Sequence, residues 1–180
     1  MPESSVSLRN PYKAAFLAWL CPGLGHFYQG RTAKGWLYAI SILSLYFVGF
    51  AMGEGRIVYW RWVSPLSDPE HFSIYYLGQF FVGLPALPAL IQGTLHYFDQ
   101  AYTILGGFMG PPDQNILNGL HPRLGKLVEV GTISTTIAGP LNILAIYDAY
   151  EGPAYEMLAE DEAPADTKAD VTAVKAGGPA

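Results

Sequence analysis

The chain holds one cysteine in 180 residues. An internal disulfide and a multi-cysteine metal site are therefore excluded. Charge is scarce as well. Only 14% of the residues are charged, against roughly 25% in an ordinary soluble domain. A water-soluble surface of normal polarity is hard to build from so few charges. The net charge is −5 and no basic run exists, which speaks against nucleic acid as a partner. No Gly-x-Ser-x-Gly nucleophile turn occurs, and no glycine loop ends in Gly-Lys-Ser/Thr. Serine hydrolases of that type and phosphate-loop nucleotide enzymes are set aside. The four histidines, at 26, 71, 96 and 121, have no helical metal-ligand spacing among them. Neither a metal nor any other cofactor is expected.

The acidity belongs to one end. Residues 1–147 carry eight Lys/Arg and seven Asp/Glu, whereas residues 148–180 carry two Lys and eight Asp/Glu. Residues 153–180 are rich in Ala, Pro, Gly and acids, which predicts a disordered acidic tail. The remaining charges leave long gaps. None falls in 14–30, 35–53, 71–98 or 130–147, runs of 17, 19, 28 and 18 residues. About 20 mainly apolar residues cross a hydrocarbon core of about 30 Å as a helix. Backbone groups in lipid must bond within the segment, which selects helices over isolated strands. The gaps predict an all-α integral membrane protein of about four spans, near 11–28, 35–52, 73–97 and 130–150. Residues 1–152 then form one multi-pass domain.

Each span carries a signal of its own. In the first, Pro22, Gly23 and Gly25 interrupt the helix, so a full crossing and a re-entrant segment both stay open. Its flanks are those of a leader peptide, but bulky Leu20 before Cys21 suits cleavage poorly, so the segment is expected to stay. The short link over 25–35 predicts an antiparallel helical hairpin at the N-terminus. Trp60, Trp62, Arg56 and Arg61 place the loop 53–72 on a membrane surface. In the third span Pro85 and Pro88 predict a kinked or unwound helix. The second half of the 98–128 loop predicts a short amphipathic helix ending near Arg123 and Lys126. In the fourth span Thr132, Thr135, Gly139 and Asn142 share a face suited to other helices, and Asp148 lies at its far end.

The most distinctive stretch is Pro22-Gly23-Leu24-Gly25-His26-Phe27-Tyr28-Gln29-Gly30-Arg31, followed by Lys34 and Gly35. Its glycines permit tight turns, and Arg31 and Lys34 suit lipid phosphates. Gly25, His26, Tyr28, Gly30, Arg31 and Lys34 are the candidate binding residues. Pro85, Pro88, Gly139, Asn142 and Asp148 are candidates for helix packing or a solute pathway. With four full spans His26 and Asp148 lie on opposite sides, and only a re-entrant first segment lets them meet.

Residues 11–52 resemble the hairpin of the two-transmembrane domain family. The whole chain resembles an uncharacterised bacterial family of small multi-pass membrane proteins, through PGLGHFYQG, GLPALPAL and AGPLNILAIYDAY. The resemblance implies a domain of unknown function and supplies no catalytic residue. The expected function is a non-enzymatic membrane module. It would act through its loops on membrane lipid, on other membrane proteins or on itself. The alternative is a small-solute channel or transporter built on proline-kinked helices, and a membrane enzyme resting on His26 is a third. The expected location is the cell (inner) membrane, with both termini cytoplasmic.

Overall fold

The computed structural model describes residues 9–64, 66, 72–99 and 104–152, and the side chain of residue 105 is not among them. The acidic tail expected over 153–180 lies outside the described residues. Those residues form helices and turns without a strand. Two helices are long and apolar enough to cross a membrane: α3 (Thr32–Met52) and α7 (Leu127–Glu151). They match the segments expected at 35–52 and 130–150.

Each long helix turns a small-residue face inward. On α3 the buried positions are Gly35, Ala39, Ile42, Tyr46 and Gly49. On α7 they include Val128, Gly131, Thr135, Ala138, Asn142, Ala145 and Ala149. Alternating steps of three and four keep such positions on one stripe. Small side chains on that stripe let helix backbones approach closely. A Cβ on Gly131 would stand 2.6 Å from the Gly49 carbonyl oxygen. At the other end Lys34 and Arg31 reach Asp148. The two helices therefore run antiparallel, with an Asp148 end and a Glu54 end.

The segments 11–28 and 73–97 are not single helices, and only two of the four expected spans are long continuous helices. In the first, Asn10 caps α1 (Pro11–Leu20) by accepting from the backbone N–H groups of Tyr12 and Lys13 at 3.0 and 3.2 Å. Pro11 occupies the first turn, where its missing donor costs little. The helix stops at extended Cys21, Pro22 follows, and Gly23 has φ +87°. That left-handed conformation suits glycine alone among common residues. The chain reverses there into α2 (Leu24–Tyr28). Gly25 then packs on Ala14 and Ala18, and the Arg9 guanidinium donates to the Tyr28 carbonyl at 3.1 Å. Ten residues of helix span about 15 Å, half of a hydrocarbon core. The N-terminal hairpin thus lies within 11–28, not between 11–28 and 35–52.

The second interrupted segment repeats the design from the opposite end. Helix α4 (Ile74–Phe80) reaches Gly83, whose φ is also +87°. A 3-10 turn over Leu84–Ala86 leads into α5 (Leu87–Phe98). Pro88 stands in the first turn of α5, where no helix bond is lost. Prolines were expected to kink a spanning helix, but here the chain turns back. Ser73 at the start of α4 donates to the Tyr59 carbonyl at 3.0 Å, and Thr94 near the end of α5 accepts from Trp62 Nε1 at 3.0 Å. Both open ends of this hairpin therefore lie beside residues 59–62. Ile57 and Val58 are buried, whereas Arg56 and Trp62 of the same loop are exposed. The expected amphipathic helix exists as α6 (Gln114–Leu124), and Arg123 pairs with Glu54.

Candidate functional site

Two polar centres stand out within this apolar fold. The first gathers around Asp148, three residues before the end of α7. His26 is fully buried, and its Nε2 lies 2.8 Å from Asp148 Oδ2. An ionised carboxylate only accepts, so Nε2 carries the shared hydrogen. The Arg31 guanidinium donates to both carboxylate oxygens at 3.1 and 3.0 Å, and to the Asp148 backbone carbonyl at 2.9 Å. Lys34 adds bonds of 3.2 and 3.4 Å. Gln29, also buried, donates to the Ala149 carbonyl. The ring of Tyr38 lies 4.7 Å from that of His26.

Local chain geometry sets these groups in place. Five residues of α2 put His26 and Gln29 against the last turns of α7. Gly30, with φ +80°, ends α2 while the Arg31 N–H donates to the His26 carbonyl at 2.8 Å. Arg31 then sits at the entry to α3. The pairing of His26 with Asp148 follows from the turn at Gly23, which folds α2 back on α1 and brings residue 26 to the last turns of α7. Three donors of charge-assisted bonds meet one carboxylate. The arrangement is a clamp that ties the 26–34 turn to the end of α7.

The second centre lies halfway along α7. Asn142 is fully buried, and its Nδ2 donates to the Ala18 carbonyl at 3.0 Å and to the Phe81 carbonyl at 2.9 Å. Ala18 belongs to the last turn of α1, and Phe81 follows α4. One side chain thus joins the tips of both hairpins. A helix leaves its last carbonyls without an internal partner, and Asn142 satisfies one at each tip. Nearby, Gln79 donates to Thr135 Oγ1 at 2.8 Å. The remaining oxygens, Asn142 Oδ1 and Gln79 Oε1, are buried with no hydrogen-bond partner among the described residues.

Residues 13–162 match a family of unknown function, DUF6677. The chain belongs to that family. No curated protein and no solved structure matches it.

In this DUF6677 chain the candidates chosen from sequence divide between the two centres. His26, Arg31, Lys34 and Asp148 meet at the first. Gly25 and Gly30 shape the hairpin that delivers them, and the Tyr28 carbonyl is held by Arg9. Asn142 forms the second. Gly139 lets α4 approach, since a Cβ there would collide with the Gly78 carbonyl. Pro85 accepts a bond from the Tyr46 hydroxyl at 3.1 Å, and Pro88 serves only to start α5. Gln29 and Gln79 were missed. Their signal was available, because each is an amide inside a charge-free gap. Among the described residues no three His, Cys, Asp or Glu side chains are placed to share a metal ion.

Asn142→Leu will loosen the meeting of the two tips. Hydrogen bonds between membrane helices average about 0.6 kcal/mol and reach about 1.7. The loss of both bonds is expected to cost roughly 1–3 kcal/mol, read as a lowered unfolding midpoint of the purified protein. An unchanged midpoint would show that these bonds do not hold the tips.

Proposed function

We propose that this chain is a multi-pass protein of the cell (inner) membrane and a non-enzymatic module acting through protein and lipid contacts. One observation carries this reading. Many large apolar side chains of the two long helices point outward, while Gly, Ala, Thr and Asn make up most of their buried positions beside Ile42, Tyr46 and Val128. Trp36, Leu37, Ile40 and Leu144 are each more than 60% exposed. Such a face is costly in water at about 25 cal/mol per Å² of apolar surface, and it suits lipid. Aromatic residues cluster toward both ends, with Tyr12 against Tyr150 at one and Trp60 against Trp62 at the other. Membrane–water boundaries favour those side chains.

In this reading α3 and α7 cross the membrane, and the hairpins α1–α2 and α4–α5 enter it from opposite sides to half depth. Both termini and the 29–34 turn share one side. Cytoplasmic termini are part of the proposal. Lys168 and Lys175 in the tail tip a Lys/Arg count that is otherwise four at each end.

Cysteine labelling in intact membranes tests the topology. In a Cys21→Ala background, Ala33→Cys is expected to react from the side of the termini and Asn118→Cys from the opposite side. Four uninterrupted crossings would put residues 33 and 118 on the same side, and that result would overturn the two-crossing reading.

A solute pathway is the second reading. It is favoured by the two broken hairpins that meet from opposite sides beside unpaired amide oxygens of Asn142 and Gln79. Transporters place binding sites at such junctions. Liposome flux that Asn142→Leu alters without lowering stability would support it over the first.

A further inference from the structure

Between the start of α1 and the end of α2 runs an open groove of about 370 Å³. Phe16, Leu17 and Tyr12 line one side and Tyr28 the other, so its walls are apolar and aromatic. Lys13 stands at its mouth. The Lys13 side chain is exposed and has no hydrogen-bond or ion-pair partner among the described residues. The Arg9 guanidinium lies 5.5 Å from the centre of the Tyr28 ring and donates to the Tyr28 carbonyl. One cation, Lys13, thus lines the apolar trough, and a second, Arg9, lies against the Tyr28 that forms its other wall.

Asp148 is already shared by His26, Arg31 and Lys34. Arg9 is held by Tyr28, and Lys13 has no ion-pair partner among the described residues. The trough opens beside Tyr12 and Phe16, which are 73% and 59% exposed, toward the surface that faces lipid in the membrane reading. Free phosphate would find cations here but would leave the apolar walls uncovered. A molecule with an anionic head and a hydrocarbon chain matches both parts.

We propose that this groove holds one anionic phospholipid, with its phosphate on Lys13 and Arg9 and an acyl chain along Phe16 and Leu17. The proposal rests on the membrane reading, since only a membrane-embedded fold presents the groove to lipid. A lysine near an anionic headgroup contributes about 1 kcal/mol, which corresponds to about fivefold in binding.

The test uses the full chain in nanodiscs of phosphatidylglycerol and phosphatidylcholine with matched acyl chains. Lipid retained after detergent exchange is counted by mass spectrometry. Phosphatidylglycerol is expected to be retained in preference. Lys13→Gln is expected to lower its retention about fivefold, with an unfolding midpoint like that of the wild type. Leu17→Trp, which fills the groove without changing charge, is expected to lower retention as well. Arg56→Gln, which removes a cation at the opposite end, is expected to leave it unchanged. Equal retention in wild type and Lys13→Gln overturns the proposal, and so does an equal loss in Lys13→Gln and Arg56→Gln. An alkaline carbonate wash of native membranes separates the two levels. Release of the protein overturns the membrane reading itself, whereas a protein that stays embedded without preferring phosphatidylglycerol overturns only the lipid site.

Discussion

Gly83→Ala is expected to lower stability by about 2–6 kcal/mol. Two independent penalties act at the position. Gly83 has φ +87° and ψ −131°, a backbone region essentially confined to glycine that costs an L-residue about 1–3 kcal/mol. A Cβ there would also collide with the Trp19 carbonyl, which is backbone rather than a movable side chain. Overpacking a tight contact costs about 1–3 kcal/mol more. Relief by a shift of α1 is opposed, because Asn142 holds the neighbouring Ala18 carbonyl. Gly106→Ala is the control. Gly106 also has positive φ, at +64°, but a Cβ there meets nothing within 4 Å. Only the conformational cost, about 1–2 kcal/mol, applies to it. Unfolding of both variants separates the terms. Equal losses at 83 and 106 would mean that the contact between the hairpin tips contributes nothing.

The two halves of that contact show where sequence reading succeeds and stops. Charge-free gaps found every apolar segment, and two of the four are long helices as expected. The other two are charge-free runs of 17 and 28 residues, also predominantly apolar, yet they reverse. The difference lies in one backbone angle each, at Gly23 and Gly83, and composition does not reveal the sign of φ. Pro85 and Pro88 drew attention to the right segment but to the wrong residues. Pro88 starts a helix and Gly83 makes the turn. One such reversal also changes which ends of the molecule are neighbours. His26 and Asp148 are 122 residues apart in sequence, and their contact depends on whether the first segment crosses or returns. The stripe through Thr135 and Asn142 was legible because it needs only helical periodicity. Its acceptors were not, since the carbonyls of Ala18 and Phe81 are free only where helices stop.

Asp148→Ala is expected to cost about 2–4 kcal/mol, and the reason is what it leaves behind. Breaking a buried ion pair from one side costs about 3–5 kcal/mol, because the remaining charge stays buried without compensation. Asp148 keeps 24% of its side-chain surface exposed, so a loss around and somewhat below the low end of that range applies. Arg31 is only 12% exposed and His26 not at all. The variant would leave Arg31 facing His26 and Lys34 with no carboxylate between them. Arg31→Ala in the same background isolates the pair. A coupling within about 0.5–3 kcal/mol, toward its upper end, is expected for such neighbours. Glu54→Ala provides the contrast, since Glu54 and Arg123 are 45% and 61% exposed. Exposed pairs contribute about 0–1 kcal/mol. The two acids thus predict different losses for the same chemical change, and unfolding of the purified variants reads both. A loss at 148 as small as that at 54 would mean that the carboxylate does not clamp the N-terminal hairpin. The packing of Gly25 on Ala14 and Ala18, together with the Gln29 bond to Ala149, would then hold it alone.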